Sequence, residues 1–155
     1  MNKIEIINNT DDPLPHKAIK KVAKKVLSIL KIKRWWLTIT FVSYDSMCSL
    51  NQEFRSGAQG ATDVLTFCDP FVSYQFPFHY TVPGDSIICL SVVKENASNV
   101  GCLKTQELIR VIVHSILHLQ GEEHKSYDFS SDPMLMKQEK IVNKIIKSGV
   151  GEWDF

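Results

Sequence analysis

Residues 108–124 constrain the fold of this 155-residue chain more than any other segment. Most of this segment belongs to a predicted helix with apolar residues around much of its girth, so the helix has to be well buried; these residues are Leu108, Ile109, Ile112, Val113, Ile116 and Leu117. The same helix carries His114 and His118, whose four-residue spacing puts both imidazoles on one face, one turn apart. A buried apolar helix has little reason to carry two imidazoles at this spacing unless something pairs them.

Gly121 and His124 extend this pair to a three-histidine pattern. A glycine at this point can end the helix and permit a sharp reversal, which would return His124 toward the other two rings. Three protein nitrogens leave the fourth position of a tetrahedral ion for water, as in catalytic zinc sites. We therefore predict that His114, His118 and His124 bind one Zn²⁺ per chain, although three imidazoles also suit nickel, copper or cobalt.

The spacing is that of the metzincin proteases, whose motif is H-E-x-x-H-x-x-G-x-x-H. The three histidines and the glycine match this motif, which predicts a metzincin-like three-histidine metal site. Ser115, however, stands where those proteases have the glutamate that acts as general base. Because a serine cannot perform that role, a zinc metallopeptidase remains only an alternative interpretation.

The remaining features suit a phosphodiester substrate. Zinc lowers the pKa of bound water to about 7 and polarises a substrate oxygen. A phosphodiester is itself negatively charged, so it needs cations near the ion more than it needs another carboxylate. Arg55, just before the glycine-containing segment 56–61, is the candidate phosphate ligand, because its planar guanidinium can contact two phosphate oxygens. A surface salt bridge is the other interpretation of Arg55.

Periodicity along the chain predicts one compact α+β domain, with a mixed sheet of about four strands packed with helices. No repeat or low-complexity linker divides the sequence. The predicted strands cover residues 1–8, 35–42, 64–67 and 86–90, and the predicted helices, with their caps, cover 15–32, 45–54, 91–101, 105–121 and 132–149. Asp45, Thr105 and Asp132 are the expected N-caps, and Pro133 is the first residue of the last helix.

The composition predicts a cytoplasmic protein without a membrane span. No apolar run is long enough to cross a bilayer, and no charged-then-apolar leader begins the sequence. The widely spaced Cys48, Cys68, Cys89 and Cys102 are expected to be free thiols without a chemical role. The net charge of +1 conceals eight lysine or arginine residues, and no acidic residue, between positions 17 and 34. That basic face is most simply a solvated surface, and polyanion binding is its alternative.

Three sequence blocks occur in order along the chain. The first is LNQEFR at 50–55 with TDVLTF at 62–67, the second is GDSI at 84–87, and the third is HSILHLQGEEH at 114–124. They resemble the L-N-x-x-[YF]-R, T-D-V-L-S-F, G-D-I and H-G-x-L-H-L-x-G-[YH]-D-H blocks of the YbeY family of rRNA maturation factors. Two departures stand out. Ser115 replaces a glycine, and Glu122-Glu123 replaces an aromatic-Asp pair. We expect Glu122 to face solvent and Glu123 to orient a metal ligand.

The resemblance implies a single-strand-specific, metal-dependent endoribonuclease acting in small-subunit rRNA maturation and ribosome quality control. It places the family's metal ligands at His114, His118 and His124, and its functional arginine at Arg55; Arg55 and His114 are then the catalytic residues, and Arg55 also binds substrate. Its implied partners are precursor rRNA, a small-subunit ribosomal protein and an assembly GTPase.

Two interpretations stay open beside this one. A non-catalytic ribosome-assembly factor with a structural metal is the alternative function, and a fourth ligand such as Glu123 or Asp128 would indicate it. The uncharged aromatic run at 71–80 could stack unpaired bases, although strand and core packing explain it more simply.

Overall fold

The structure is a computed structural model that describes residues 1–69 and 80–155. Within those ranges, strands and helices alternate at first and helices follow at the end. In chain order the elements are β1 (Lys3–Asn9), α1 (His16–Ile29), β2 (Trp36–Val42), α2 (Tyr44–Phe54), β3 (Val64–Cys68), β4 (Gly84–Cys89), α3 (Leu90–Val100), α4 (Lys104–Leu119) and α5 (Pro133–Lys147).

The four strands form one mixed sheet, as predicted, and their order in it is β1-β2-β4-β3. β1 and β4 run parallel to β2, whereas β3 runs antiparallel to β4 and forms one edge. The parallel register pairs Ile4 with Leu37 and Ile6 with Ile39, so that the apolar residues of β1 and β2 share one face of the sheet. The fold is therefore α+β with a mixed sheet.

Helix α4 lies at the centre of the main core. It contacts α1, α3 and α5 as well as β3 and β4. Residues such as Leu108, Ile112 and Ile116 are fully buried there. A smaller cluster, which includes Met47 of α2 and Leu65 of β3, is separate from that core. Because α4 is enclosed by its neighbours, its C-terminal half is held firmly beside the edge strand β3.

The predicted N-caps at Asp45 and Thr105 are wrong. The Ser43 side chain caps α2 by accepting a hydrogen bond from the Ser46 N–H, and Asp45 lies within the first turn. α4 begins at Lys104, so Thr105 is inside the helix, where its buried hydroxyl accepts a bond of 2.8 Å from the Trp153 N–H. The Thr105 hydroxyl oxygen, which was expected to cap α4, therefore accepts the backbone N–H of Trp153 instead.

Other local signals are confirmed. Gly101 follows α3 in the left-handed conformation, with φ of 72°. Asp132 caps α5 through the N–H groups of Met134 and Leu135, and Pro133 is its first residue. Phe54, the last residue of α2, is 56% exposed.

Three further expectations concern the cysteines, the aromatic run and membrane-spanning helices. All four cysteines are free, as expected, and Cys68 is exposed. Of the aromatic run at 71–80, only Tyr80 lies within the described residues. None of the helices in the described ranges combines the length and apolar character needed to cross a membrane.

Gly84 provides a test of the contact between β3 and β4. A Cβ atom at this position would lie 1.9 Å from the Phe67 carbonyl oxygen, and its φ of +130° is unfavourable for other residues. We expect Gly84→Ala to lower the free energy of unfolding by about 3 kcal/mol or more. Urea denaturation followed by circular dichroism measures this loss.

Gly57→Ala is the matched control. Its φ of +78° is also positive, but an added Cβ would meet nothing within 4 Å. It should cost only about 1–2 kcal/mol, from the backbone conformation alone. Equal losses in the two variants would show that the close approach to Phe67 has no energetic consequence.

Candidate metal centre

The end of α4 determines where the three histidines lie. His114 and His118 occupy successive turns, and Gly121 follows the helix with φ of +91°. The Glu122 N–H donates to the Leu117 carbonyl (3.0 Å) and the Gly121 N–H to the His118 carbonyl (2.9 Å), the two bonds of a Schellman motif. This motif reverses the chain and returns His124 to the face that carries the other two rings.

The three imidazoles converge as predicted. The ring centroids of His114 and His118 are 4.5 Å apart, and His124 lies 5.3 and 5.4 Å from them. One ligand atom from each ring lies within 4.8 Å of those of the other two. Among the described histidines, cysteines and carboxylates, these three residues alone form such a group.

The Nδ1 atom of each ring faces an oxygen. His114 Nδ1 donates to Gln138 Oε1 (2.7 Å), His118 Nδ1 to the Glu122 carbonyl (2.9 Å) and His124 Nδ1 to the Ser126 carbonyl (2.9 Å). Each neutral ring then carries its proton on Nδ1 and a lone pair on Nε2. The hydrogen bonds thus fix the tautomer that a metal ligand requires.

This donor set fits a metal ion. The Nε2 atoms of His114 and His118 are 2.9 Å apart, and their outer hydrogen bonds leave a lone pair on both. Such lone pairs repel unless a cation lies between them, and ligand nitrogens of one tetrahedral zinc are about 3.3 Å apart for bonds of ~2.0–2.1 Å. Burial lowers the pKa of His114 and of His118, which favours the neutral form that binds metal.

Gln138 connects His114 to a network of charged side chains on α4 and α5. Its side-chain Nε2 donates to Glu139 (3.2 Å), and Glu139 accepts a bond of 2.7 Å from Arg110 Nε. Arg110 also pairs with Glu107. Burial opposes the charge of Arg110, but these two carboxylates raise its pKa overall. Gln138 is therefore held with its oxygen toward His114.

The three histidines line an open cleft of about 700 Å³. Arg55 lines the same cleft from the end of α2. Its backbone N–H donates to the Asn51 carbonyl at 2.9 Å. Arg110 lines it too, but is paired with Glu107 and Glu139. The Arg55 side chain has no hydrogen bond or ion pair with any residue in 1–69 or 80–155, so its guanidinium is free to bind an anion.

The residues that depart from the YbeY pattern have defined positions. The buried Ser115 hydroxyl donates to the Ile112 carbonyl (3.0 Å) and is not part of the cleft lining. Glu122 pairs with Lys137, so its charge is partly neutralised instead of simply facing solvent. Glu123 lines the cleft, but Gln138 and two backbone carbonyls orient the rings.

Sequence reasoning missed several parts of the cleft. Gln138 looked like an ordinary polar residue of the last helix, although its helical spacing from Leu135, Ile141 and Val142 placed it on the apolar side of α5. Cys68 lines the cleft and its thiol donates to the His118 carbonyl at 3.3 Å. Tyr127 and Phe129 also line it, and nothing in their spacing indicated this.

The fold and the site define a class: an α+β domain in which a buried helix and its terminal turn bring three imidazoles to an open cleft. Residues 5–146 match the family model described as Endoribonuclease YbeY. The chain therefore belongs to the YbeY endoribonuclease family.

Individual relatives agree with this assignment. A protein called Endoribonuclease YbeY from Persephonella marina is 30% identical over 146 residues, covering 94% of each chain. One of the same name from Sulfurihydrogenibium sp. is 33% identical over 130 residues, covering 83% of this chain and 82% of the other. The solution structure of TM1509 from Thermotoga maritima superposes with a TM-score of 0.62 at 29% identity, covering 99% of this chain and 97% of that one.

The Gln138 contact predicts an effect on metal affinity. Gln138→Ala removes the acceptor that orients His114, so we expect zinc affinity to fall about 10- to 100-fold. Competition with a chromophoric chelator measures this change. Gln138→Glu, which keeps an acceptor, should bind zinc more tightly than the alanine variant, and Asn143→Ala, at an exposed position of α5, is the control that should match wild type. Unchanged affinity in Gln138→Ala would contradict the orienting role.

Proposed function

We propose that this chain is a zinc-dependent endoribonuclease that hydrolyses phosphodiester bonds in single-stranded RNA. The observation that carries the proposal is that three Nε2 lone pairs converge in one cleft with the Arg55 guanidinium, which has no ion-pair partner among the described residues. A three-nitrogen centre leaves a coordination position for water or substrate. Membership of a family whose members are called endoribonucleases supports the same reaction.

The residues divide the chemistry between them. His114, His118 and His124 would hold the ion, which supplies Lewis acidity when bound. Arg55 would bind the phosphate oxygens and stabilise negative charge as it develops, and its planar guanidinium can contact two oxygens at once. Gln138 and the carbonyls of Glu122 and Ser126 keep the three rings in the ligand tautomer.

The wider role is also a proposal. We infer action in small-subunit rRNA maturation, with precursor rRNA as substrate and a small-subunit ribosomal protein and an assembly GTPase as partners, from the family resemblance. The four free cysteines agree with a cytoplasmic location, where thiols stay reduced.

The alternatives receive less support from the site. A structural metal would need a fourth protein ligand, yet the metal-capable group of the described residues contains only the three histidines. The Asp128 carboxylate instead accepts hydrogen bonds from the Ser130 and Ser131 hydroxyls. A metallopeptidase would need a base at position 115, where the serine hydroxyl is buried and bonded to the helix backbone.

The metal site is tested first with His118→Ala. The wild-type chain, purified without a histidine tag or added metal, should contain about one zinc per molecule, because three imidazoles suit one tetrahedral ion. The variant should lose both the zinc and RNA cleavage, as measured by mass spectrometry and by gel analysis of a labelled single-stranded RNA. His16→Ala changes an exposed histidine outside the site and should keep both. A variant that retains its zinc would exclude His118 as a ligand.

The substrate role of Arg55 is tested separately. Arg55→Ala should reduce kcat/KM for RNA cleavage by about a hundredfold or more, since it removes a charge that stabilises the transition state. Zinc content should stay at the wild-type value, which separates loss of substrate contact from loss of metal. Arg34→Ala removes an exposed arginine outside the cleft and is the charge-matched control. Cleavage by Arg55→Ala within about twofold of Arg34→Ala would contradict the assignment.

A further inference from the structure

Two large aromatic side chains are exposed at the metal cleft. Tyr127 is 86% exposed and Phe129 is 49% exposed, and both line the cleft that contains the three histidines and Arg55. Single exposed aromatic residues are common on protein surfaces, but two beside the same candidate active site present a sizeable apolar area to a ligand. Neither residue is explained by metal binding or by packing of the core.

The segment that carries these aromatics is held by hydrogen bonds within it and by Asp132, the N-cap residue of α5. The N–H groups of Lys125 and Ser126 donate to Asp132 Oδ2, at 2.8 and 3.2 Å. The Asp128 carboxylate accepts bonds from Ser130 and Ser131, and its carbonyl accepts the Asp132 N–H at 2.9 Å. The backbone between His124 and α5 is thus held in a defined shape, which places both aromatics at the cleft in the folded chain.

The Tyr127 ring is adjacent to a candidate metal ligand. Its centroid is 5.2 Å from that of His124, with an interplanar angle of 61°. This edge contact covers little of the tyrosine, since the residue remains 86% exposed. A planar group stacked on Tyr127 would therefore lie next to His124 and so next to the candidate metal centre.

A planar ligand with an attached anion fits this arrangement. Aromatic side chains bind nucleobases by stacking, and the interaction tolerates any base because every base has a π face. Arg55, which lines the same cleft and lacks an ion-pair partner among the described residues, suits the phosphate of the same chain. Bases within a double helix are already stacked on one another and cannot lie on a protein ring.

We propose that Tyr127 and Phe129 form a stacking site for unpaired nucleobases of RNA bound at the metal cleft. This inference rests on the proposed endoribonuclease function and adds to it the residues that select single-stranded substrate. The two aromatics bind the bases, while Arg55 and the metal centre act on the phosphodiester. The pair contributes to substrate affinity without contacting the reacting atoms.

The test compares binding of two RNA strands by the zinc-loaded chain. One is a short labelled oligoadenylate and the other an abasic strand of equal length with the same phosphates. Fluorescence anisotropy gives each Kd, and a gel run after each titration shows that the strand is intact. Tyr127→Ala and Phe129→Ala should each weaken oligoadenylate binding about tenfold and change abasic binding by less than about twofold. Tyr127→Phe, which keeps the ring, should bind like wild type.

Tyr44→Ala is the matched control, because Tyr44 is 49% exposed, as Phe129 is, but is not part of the cleft lining. It should leave both Kd values unchanged. The proposal is overturned if neither Tyr127→Ala nor Phe129→Ala weakens oligoadenylate binding, or if both weaken the two strands equally. Wild-type protein that binds the abasic strand as tightly as oligoadenylate, or prefers an aromatic peptide to either strand, also overturns it.

Binding and cleavage keep the two proposals distinguishable. Base-dependent binding that is lost in Tyr127→Ala, in a protein that cleaves no RNA, would support the stacking site and contradict the nuclease function. Metal-dependent cleavage whose KM is the same in wild type, Tyr127→Ala and Phe129→Ala would support the nuclease function and contradict the stacking site. The expected result is a raised KM in both alanine variants with kcat close to wild type, since stacking binds ground and transition states alike.

Discussion

Helix α4 is enclosed by α1, α3 and α5 and by strands β3 and β4, and this enclosure governs what its polar residues can do. A buried polar group without a partner is costly, so each one on the helix has to be bonded. Arg110 pairs with Glu107 and Glu139, and the Ser115 hydroxyl bonds the helix backbone. The two histidines face the one open side of the helix, where a cleft remains. Packing therefore restricts reactive side chains of α4 to a single surface.

Asp132 links the packing of the helices to the geometry of the cleft. One carboxylate oxygen caps α5, and the other accepts the N–H groups of Lys125 and Ser126, just after His124. Burial alone would raise the pKa of Asp132, but hydrogen bonds from four backbone N–H groups lower it, so the carboxylate stays ionised at neutral pH. The segment with the third histidine is thus attached to the same helix that supplies Gln138, and the two contributions to the metal centre are positioned together.

Local patterns predicted the parts of the structure that depend on nearby residues. The four-residue histidine spacing, Gly121 and the Asp132-Pro133 helix start are short-range features, and each lies where the sequence placed it. One failure is local, because Ser43 rather than Asp45 caps α2, but the others involve distant partners. Thr105 bonds the N–H of a residue 48 positions away, and Gln138 reaches His114 across 24 positions. No periodicity reveals such contacts, because they depend on which helices become neighbours.

The Nδ1 contacts of the three histidines have a consequence for sequence variation within the family. Two of the three acceptors are main-chain carbonyls, at Glu122 and Ser126, and a carbonyl is present whatever side chain the residue carries. The turn can therefore change its composition, as the Glu122-Glu123 pair does here, without turning the rings away from a metal. Only the acceptor at Gln138 belongs to a side chain, so it is the one contact of the three that a substitution can remove or make charged.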